Sequence, residues 1–333
     1  MNSVLKFKKI FFPMYIFFLK IYLLPQRIYY YSQNKFEINI INKSLNSYDG
    51  VVGIYDLNVY KEPFSIGEFC YFIFFYRFFA VSNKKVSLYF IKKNRNYQNI
   101  KRRISIKNEK RFINFFFLIS KVLIGKKLIE IDYISWKQFK KKNFKNMYIP
   151  YKNIIMSQKP IREFFVAILN PLLRNKPRKF LRDFLLNKKT LREFSPKKFL
   201  KNKYITWHIR KAQTWSFERN LGEKEILTVY KSIKNKFKKN DIVIISDKYG
   251  CDYVKKIDKK FNLNLLYCKD LRSGHKDMGA SILSDFYLVL NSECFIAFKG
   301  GGLICAAEFS NTPFFCAWTM GLKNQIKNDR FVE

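Results

Sequence analysis

The sequence has few of the residues from which metal sites and disulfide frameworks are built. It contains two histidines and six cysteines in 333 residues, and no two cysteines are arranged as Cys-x-x-Cys. Because a structural zinc site takes four thiolate or imidazole ligands at characteristic spacings, we expect no metal site. Cys294, Cys305 and Cys316 fall in apolar segments, where cysteine behaves as a small buried hydrophobic residue. This pattern predicts free thiols and a reducing compartment.

Acidic residues are also scarce, with 25 Asp and Glu against 64 Lys and Arg, which gives a net charge of +39. A charge of this size is typical of proteins that bind nucleic acid or anionic membranes. The basic residues are scattered, however, and no helix-turn-helix, zinc-finger or RNP-type pattern accompanies them, so we expect no specific nucleic-acid partner. The denser basic stretch from Arg174 to Lys201 indicates either a solvated face or peripheral contact with an anionic membrane.

The N-terminal part lacks an apolar run long enough to cross a membrane. Ile10 to Leu24 is apolar and aromatic but is broken by Pro13 and Lys20, whereas a spanning helix needs about 20 apolar residues. No small-residue cleavage site follows, as a signal peptide would require. An interfacial membrane segment and a helix packed on the first domain both fit the residues. We expect a cytoplasmic protein with peripheral contact at the inner membrane face.

The rest of the composition suits two globular domains. Hydrophobic residues make up 48% of the chain and aromatic residues 18%, which is enough to bury substantial cores and argues against disorder. A chain of 333 residues is long for one hydrophobic core and fits two.

The first half contains one predicted β-α-β unit. Val51 to Ile54 predicts a strand, Phe64 to Phe79 an aromatic helix and Lys85 to Ile91 a second strand. Leu128 to Ile134 predicts a further strand. From Ile161 to Phe199 the sequence is basic and broadly helical, and its prolines are expected to cut the helix into pieces. These prolines are Pro171, Pro177 and Pro196.

The second half alternates strands and helices regularly. The predicted strands are Tyr204–Ile209, Asp241–Ile245, Leu263–Tyr267, Cys294–Phe298 and Pro313–Ala317. The predicted helices are Glu223–Phe237, Val254–Phe261, Gly279–Leu290 and Leu303–Phe309. Such alternation predicts a parallel, doubly wound α/β sheet, and ligands bind such sheets at the carboxyl ends of the strands.

Polar side chains follow the first predicted strand of this half. His208 and Arg210 alternate with an apolar residue and so point to one side of the extended chain. Arg219 and Asn220 precede the next helix. Arginines near a strand end and a helix start suit a diphosphate, because the guanidinium offers forked donors and the helix adds backbone amides. Surface ion pairing is the alternative interpretation of these arginines.

Two further strand ends carry polar groups. Ser246 and Asp247 follow the second strand, where Asp247 is expected either to bind a ribose or base, to act as general base, or simply to cap the following helix. Lys299 precedes the glycine run 300–302 after the Cys294–Phe298 strand. Gly300, Gly301 and Gly302 would let the backbone approach a phosphate closely, and a simple tight turn is the alternative.

These residues, in this order, resemble the donor domain of fucosyltransferase-like enzymes of the GT-B architecture. The matching stretches are HIR at 208–210, RN at 219–220, SD at 246–247 and SDFYLVLNSECFIAFKGGGLICAAEFSNTPFF at 284–315. The likeness covers Tyr204 to Trp318 well and the first half only loosely. More narrowly, this region is similar to a group of bacterial glycosyltransferases.

The resemblance implies roles for individual residues. The histidine-x-arginine signature opens the donor domain, and its arginine, here Arg210, holds the β-phosphate of a GDP-sugar. Asp285 matches an aspartate that contacts the guanine or ribose, the segment from Lys299 to Gly302 matches the phosphate loop, and Glu308 matches a residue facing the nucleotide. The chain lacks the family's second arginine and aspartate after the signature and the serine of its loop.

The resemblance also implies an organisation and an activity. The fold class is α/β and GT-B-like, with two Rossmann-like doubly wound domains facing each other across a cleft. Residues 1–45 would be an N-terminal apolar and basic segment with membrane association, 46–200 an acceptor-side domain with a basic helical linker, and 201–333 the nucleotide-sugar-binding domain. The chain would move a sugar, fucose as first expectation, from a GDP-linked donor to a glycan or lipid-linked acceptor in polysaccharide biosynthesis.

The resemblance implies a metal-independent reaction that uses the nucleotide-sugar as co-substrate and needs no cofactor. The lack of an Asp-x-Asp pattern at a strand end fits this expectation. Arg210 and Asp247 are the expected catalytic residues, and Asp56, Glu68 and His275 are further candidates for the general base. Two other classes of function fit the sequence. One is a catalytically degenerate nucleotide- or glycan-binding protein of the same fold. The other is a basic membrane-surface or nucleic-acid-binding protein.

Overall fold

Two parallel sheets organise the chain. The computed structural model describes residues 38–57, 66–92, 106–149, 161–174, 176–196, 203–209, 222–272, 278–298 and 303–317. The first sheet has four strands in the order β3-β2-β1-β4, and the second has five in the order β7-β6-β5-β8-β9. All strand pairs are parallel, so the predicted α/β class with two doubly wound units is confirmed.

The first sheet is formed by β1 (Gly50–Asp56), β2 (Lys85–Ile91), β3 (Leu128–Ile134) and β4 (Met147–Tyr148). The helices of this half cover residues 38–47, Ile66–Val81, Ile106–Ile124, Trp136–Phe139, Ile161–Arg174 and Arg178–Phe184, with 3-10 turns at Gly125–Lys127 and Arg192–Phe194. The strand predictions for this half are confirmed.

The helix Ile66–Val81, which we call the aromatic helix, lies at the centre of the first half. From Phe69 to Phe79 its described side chains are buried on all sides, as expected of a helix without a polar face. It packs closely on β1 at Gly53, where an added Cβ would lie 2.7 Å from the Tyr76 ring. Glycine at this position therefore allows the helix and the sheet to touch.

The prediction that Pro171 interrupts its helix is wrong, whereas Pro177 does precede a new helix. Ile161–Arg174 continues through Pro171 to its end. Proline removes one backbone hydrogen bond there, and the helix is held by burial of Ile168, Leu169 and Leu172 in the core.

The second sheet is formed by β5 (Tyr204–His208), β6 (Asp241–Ile245), β7 (Leu266–Tyr267), β8 (Phe295–Phe298) and β9 (Phe314–Ala317). Its helices are Glu223–Lys236, Lys248–Phe261, Cys268–Leu271, Met278–Asn291 and Ile304–Glu308. The sequence predicted all five strands and four of these helices.

Two boundaries differ from the prediction for physical reasons. The helix predicted from Val254 begins at Lys248, because the Asp247 side chain caps it. The strand predicted from Leu263 shortens to Leu266–Tyr267, because Asn262 and Asn264 have positive φ angles of 49° and 57°. A residue in the left-handed region cannot continue an extended strand.

The two halves share one continuous apolar core. Phe74 of the aromatic helix stacks on Phe309 with ring centroids 4.0 Å apart, and the Leu186 amide donates to the Phe309 carbonyl at 2.6 Å. The Tyr71 hydroxyl donates to the Glu308 carboxylate across the same contact. The aromatic helix therefore packs against both the first sheet and the last helix of the second half.

Arg77 joins the aromatic helix to the segment that leads into the second half. Its guanidinium is buried and donates to the carbonyls of Leu123, Asp183, Phe184 and Leu185, at 2.6 Å for Phe184 and 2.8 Å for Asp183. A buried cation needs such partners to replace its hydration. Arg77 thus satisfies backbone carbonyls at the end of the helix Arg178–Phe184.

Within the described ranges, no helix combines the length and the apolar content needed to cross a membrane. The apolar N-terminal segment lies outside the described residues. Of the three cysteines predicted to be small core residues, Cys294 and Cys305 are buried. The side chain of Cys316 is not among those that the structure describes.

Candidate functional site

The second sheet brings two of the predicted motifs to neighbouring strands. His208, the last residue of β5, pairs with Ala297 of β8, two residues before Lys299. From β5 the chain proceeds to β6 and β7 on one side and later to β8 and β9 on the other. The β5 to β8 junction is therefore the topological switch point, where open parallel sheets bind ligands at their carboxyl edge.

Many of the predicted donor-site residues fall in the loops after these strands and lie outside the described residues. These are Arg210, Arg219, Asn220, His275, Lys299, Gly300, Gly301 and Gly302. Glu68 is in the aromatic helix, but its side chain is not described. The structure does describe His208, Ser246, Asp247, Asp285 and Glu308.

The side chains of Ser246 and Asp247 both form hydrogen bonds within the protein at the end of β6. The Ser246 hydroxyl donates to the carbonyl of Ile209 and so ties the ends of β5 and β6 together. The Asp247 carboxylate accepts from the Gly250 amide at 2.7 Å and caps the following helix. A Cβ at Gly250 would lie 1.8 Å from the Ser246 hydroxyl oxygen, so this turn requires glycine.

Asp285, the expected nucleotide contact, forms an ion pair with Arg272. It is buried on the helix Met278–Asn291, and its two carboxylate oxygens accept from Nε and Nη2 of Arg272, at 3.0 Å for Nε. Burial raises the pKa of Asp285, and the charge of Arg272 opposes that rise. Arg272 directly follows the helical turn Cys268–Leu271 after β7.

Two cysteines connect this ion pair to β6. The thiols of Cys251 and Cys268 lie 3.7 Å and 3.8 Å from the Ser246 carbonyl oxygen. Each thiol perturbs the pKa of the other, and Cys268 also acts on the pKa of Asp285, so these three side chains are neighbours. Ser246, the thiol pair, Asp285 and Arg272 thus form one continuous cluster at the carboxyl end of β6.

Glu308 does not lie in this cluster but at the contact between the two halves. It ends the helix that follows the glycine run, and its carboxylate accepts from the Tyr71 hydroxyl of the aromatic helix. Burial raises the pKa of Glu308 to about 7. The carboxyl group is therefore ionisable near neutral pH.

The first sheet has its own carboxylate at a strand end. Asp56 is the last residue of β1 and is buried, and its carboxylate accepts from the indole nitrogen of Trp136 at 2.9 Å. The Trp136 ring is only partly buried and stands edge-on to Phe139. Because β1 is flanked by β2 and β4, Asp56 lies at the switch point of the first sheet.

Sequence reasoning missed Arg272 and Trp136. Arg272 is separated from the third strand of its sheet by the helical turn Cys268–Leu271, and no motif in the sequence singles it out. Nothing in the local sequence signals that Trp136 meets Asp56, because the two residues are 80 positions apart.

Among the described residues, no group of three or more His, Cys, Asp or Glu side chains could hold a metal ion. The donors that do come together at the carboxyl end of β6 are the Arg272 guanidinium, the Ser246 hydroxyl and the thiols of Cys251 and Cys268. Such groups bind anionic and hydroxylated ligands.

Comparison with known proteins adds little to this picture. No protein-family model matches the chain, and no curated protein matches it. Among solved structures it is similar to the crystal structure of a glycosyl transferase family 9 protein from Veillonella parvula. The identity is 7% and the TM-score 0.38, with 86% of this chain and 91% of that chain covered. A likeness of this size supports no conclusion beyond what the strand order itself gives.

Proposed function

We propose that the protein is a glycosyltransferase that moves a sugar from a nucleotide diphosphate-sugar to a hydroxyl group of a glycan or lipid-linked acceptor. One observation carries the proposal: the strands that precede the His-Ile-Arg signature and the Lys-Gly-Gly-Gly run are neighbours at the switch point of a parallel sheet. These two motifs are the ones that the sequence alone assigned to a diphosphate. A GDP-linked donor carrying fucose is the first candidate, on the sequence resemblance.

The proposed chemistry follows from the charge that develops during transfer. As the bond from the sugar to the diphosphate breaks, negative charge builds on the leaving phosphate, and prearranged cations and amides stabilise it. Arg210, Lys299 and the glycine amides are proposed for this role, so the reaction proceeds without a metal ion or other cofactor. His208 at the end of β5 is proposed to contact the donor beside them.

The acceptor hydroxyl needs a general base, and we propose Asp56. Asp247, expected for this role from the sequence, already accepts the Gly250 amide as a helix cap. Asp56 lies instead at the carboxyl end of the first sheet, held by Trp136. A base on the half that does not hold the donor suits an acceptor that enters from that side.

A binding protein without transferase activity is the second candidate. Two observations favour it: the Asp247 carboxylate accepts from the Gly250 amide, and the Asp285 carboxylate accepts from Arg272. Both carboxylates at the donor edge therefore already have a partner within the protein. Both candidates require a donor site. Only the transferase releases nucleoside diphosphate when donor and acceptor are supplied together.

The proposal is tested by thermal unfolding of the protein with a panel of GDP-, UDP- and dTDP-sugars. A ligand present at about 100 times its Kd stabilises the folded state by about 2.7 kcal/mol. We expect one nucleotide class to raise the unfolding temperature, and Arg210→Ala to abolish that rise. If no sugar nucleotide raises the unfolding temperature, the donor site is contradicted. If one raises it but no sugar is transferred to an acceptor, the protein binds nucleotide-sugars without transferase activity.

Peripheral contact with an anionic membrane is proposed for the basic face of the first half. Arg174, Arg178, Lys179, Arg182, Lys188 and Lys189 are all exposed. Each basic residue near an anionic surface contributes about 1 kcal/mol to binding. A lipid-linked acceptor would place the substrate on the same surface.

A further inference from the structure

We propose that Arg272 binds the diphosphate of the donor and that Asp285 is its positioning residue rather than a nucleotide contact. The proposal rests on the proposed function and names a second cation for the donor site. It reverses the role that the sequence resemblance gives to Asp285. The sequence pattern alone does not point to Arg272.

The burial of the two side chains separates their roles. The Asp285 side chain is 6% exposed, and both of its oxygens are taken by Arg272. The Arg272 side chain is 27% exposed. Arg272 is therefore the more accessible partner of the pair, while the Asp285 carboxylate is shielded.

Asp285 takes one edge of the guanidinium. The guanidinium carries five N–H groups in one plane, and Asp285 accepts one from Nε and one from Nη2. A second N–H of Nη2 and one N–H of Nη1 form the other edge, for which the described residues supply no acceptor. A forked edge fits two phosphate oxygens at once. Burial acts to lower the pKa of Arg272, and the Asp285 carboxylate outweighs this effect, so the pKa lies above its ordinary value.

Arg272 is fixed relative to the predicted donor edge. Arg272 follows the helical turn Cys268–Leu271, and the Cys268 thiol at the start of that turn donates to the Ser246 carbonyl at the end of β6. Ser246 in turn holds Ile209 directly after β5. Strands in a sheet are spaced by about 4.8 Å, so β7, which leads to Arg272, lies on the order of 10 Å from β5. The Arg272 fork therefore lies at the same carboxyl edge of the sheet as the end of β5.

The ion pair is poorly explained by stability alone. Burying a carboxylate with an arginine costs desolvation energy that the pairing barely offsets, and apolar residues of similar volume often do as well. A fixed and charged donor at a ligand-binding edge does explain the arrangement. Asp285 holds the fork in one orientation, so that little side-chain entropy is lost when a phosphate binds.

The test uses the full chain and isothermal titration with GDP, UDP, the matching nucleosides and inorganic pyrophosphate. Arg272→Gln alone would leave the buried Asp285 charge without its partner and destabilise the fold. The main variant is therefore the double substitution Arg272→Gln with Asp285→Asn, which keeps a neutral hydrogen-bonding pair. Lys260→Gln with Glu223→Gln removes an exposed ion pair between two helices of the second half and serves as the matched control. Thermal unfolding confirms that each variant is folded.

We expect the double variant to bind the nucleoside diphosphate and pyrophosphate about 10-fold or more weakly, as loss of hydrogen bonds to a charged group implies. Nucleoside affinity should stay within about 2-fold, a selectivity that a general loss of structure would not give. Asp285→Asn alone keeps the guanidinium and should weaken diphosphate binding less than the double variant does.

The outcomes separate this inference from the proposed function. Unchanged diphosphate affinity in the double variant overturns the role of Arg272 and leaves the transferase proposal standing. Pyrophosphate binding that depends on Arg272, without binding of any nucleotide, supports the anion site and overturns the nucleotide-sugar donor. A wild-type protein that binds neither pyrophosphate nor nucleotide overturns both.

Discussion

Replacing Glu308 by glutamine should make the stability of the protein less dependent on pH. Burial raises the pKa of Glu308 from 4.5 to about 7. In the unfolded chain the same carboxyl ionises near its ordinary value. The folded protein therefore binds more protons between these two pH values, and Glu308 makes the wild type less stable as the pH rises through that window.

The size of the effect follows from the shift. One pKa unit corresponds to about 1.4 kcal/mol, so the full shift of Glu308 is worth about 3 kcal/mol. The side chain is only partly buried, and water reduces this value to about 2 kcal/mol. Glutamine has the same shape, accepts a hydrogen bond from Tyr71 and carries no charge, so the substitution removes the ionisation and little else.

Urea unfolding at several pH values from about pH 5 to about pH 8 measures the effect. The free energy of unfolding of Glu308→Gln, relative to wild type, should rise by about 2 kcal/mol over this range. Glu223→Gln, at an exposed residue of the second half, is the control and should follow the wild type. Parallel curves for Glu308→Gln and wild type would refute a raised pKa at the contact between the halves.

Three further results are expected. Arg77→Met should lower the free energy of unfolding, measured with urea, by about 3–5 kcal/mol, because it leaves buried carbonyls without a donor. The control Arg182→Met, at an exposed residue, should change it by no more than about 0.5 kcal/mol, and a loss below about 1 kcal/mol for Arg77→Met would contradict the role of Arg77. Asp56→Asn should lower sugar turnover by about 100-fold or more with donor affinity unchanged, and equal turnover would exclude it as the base. Lys188→Glu with Lys189→Glu should reduce co-sedimentation with anionic vesicles about 10-fold or more but not with neutral ones, and unchanged binding would remove this face as a membrane contact.

The strands were predictable because each is a short apolar run between polar turns. Asp241–Ile245 shows four apolar residues after one aspartate and forms β6 with those limits. The alternation of strands and helices fixed the parallel class, since parallel strands need a crossover between them. The position of His208 beside β8 comes from the structure, because the alternation alone does not select one strand order for a doubly wound sheet.

The partners of the site residues were not predictable, because they come from distant positions. Asp285 was expected to face a nucleotide, yet its partner Arg272 belongs to another turn of chain 13 positions earlier. Asp56 meets Trp136 from 80 positions away. Periodicity says which face of an element is buried but not which side chain from another element arrives there.

The shared core limits how the two halves can move. Separating Phe74 from Phe309 would expose two buried rings, and full exposure of such a side chain costs about 1.5–3 kcal/mol each. An opening that breaks this contact is therefore penalised. It would also break the hydrogen bond from Tyr71 to Glu308 and the one from the Leu186 amide to the Phe309 carbonyl. These contacts hold the strand end that carries Asp56 and the strand end that carries His208 in one arrangement.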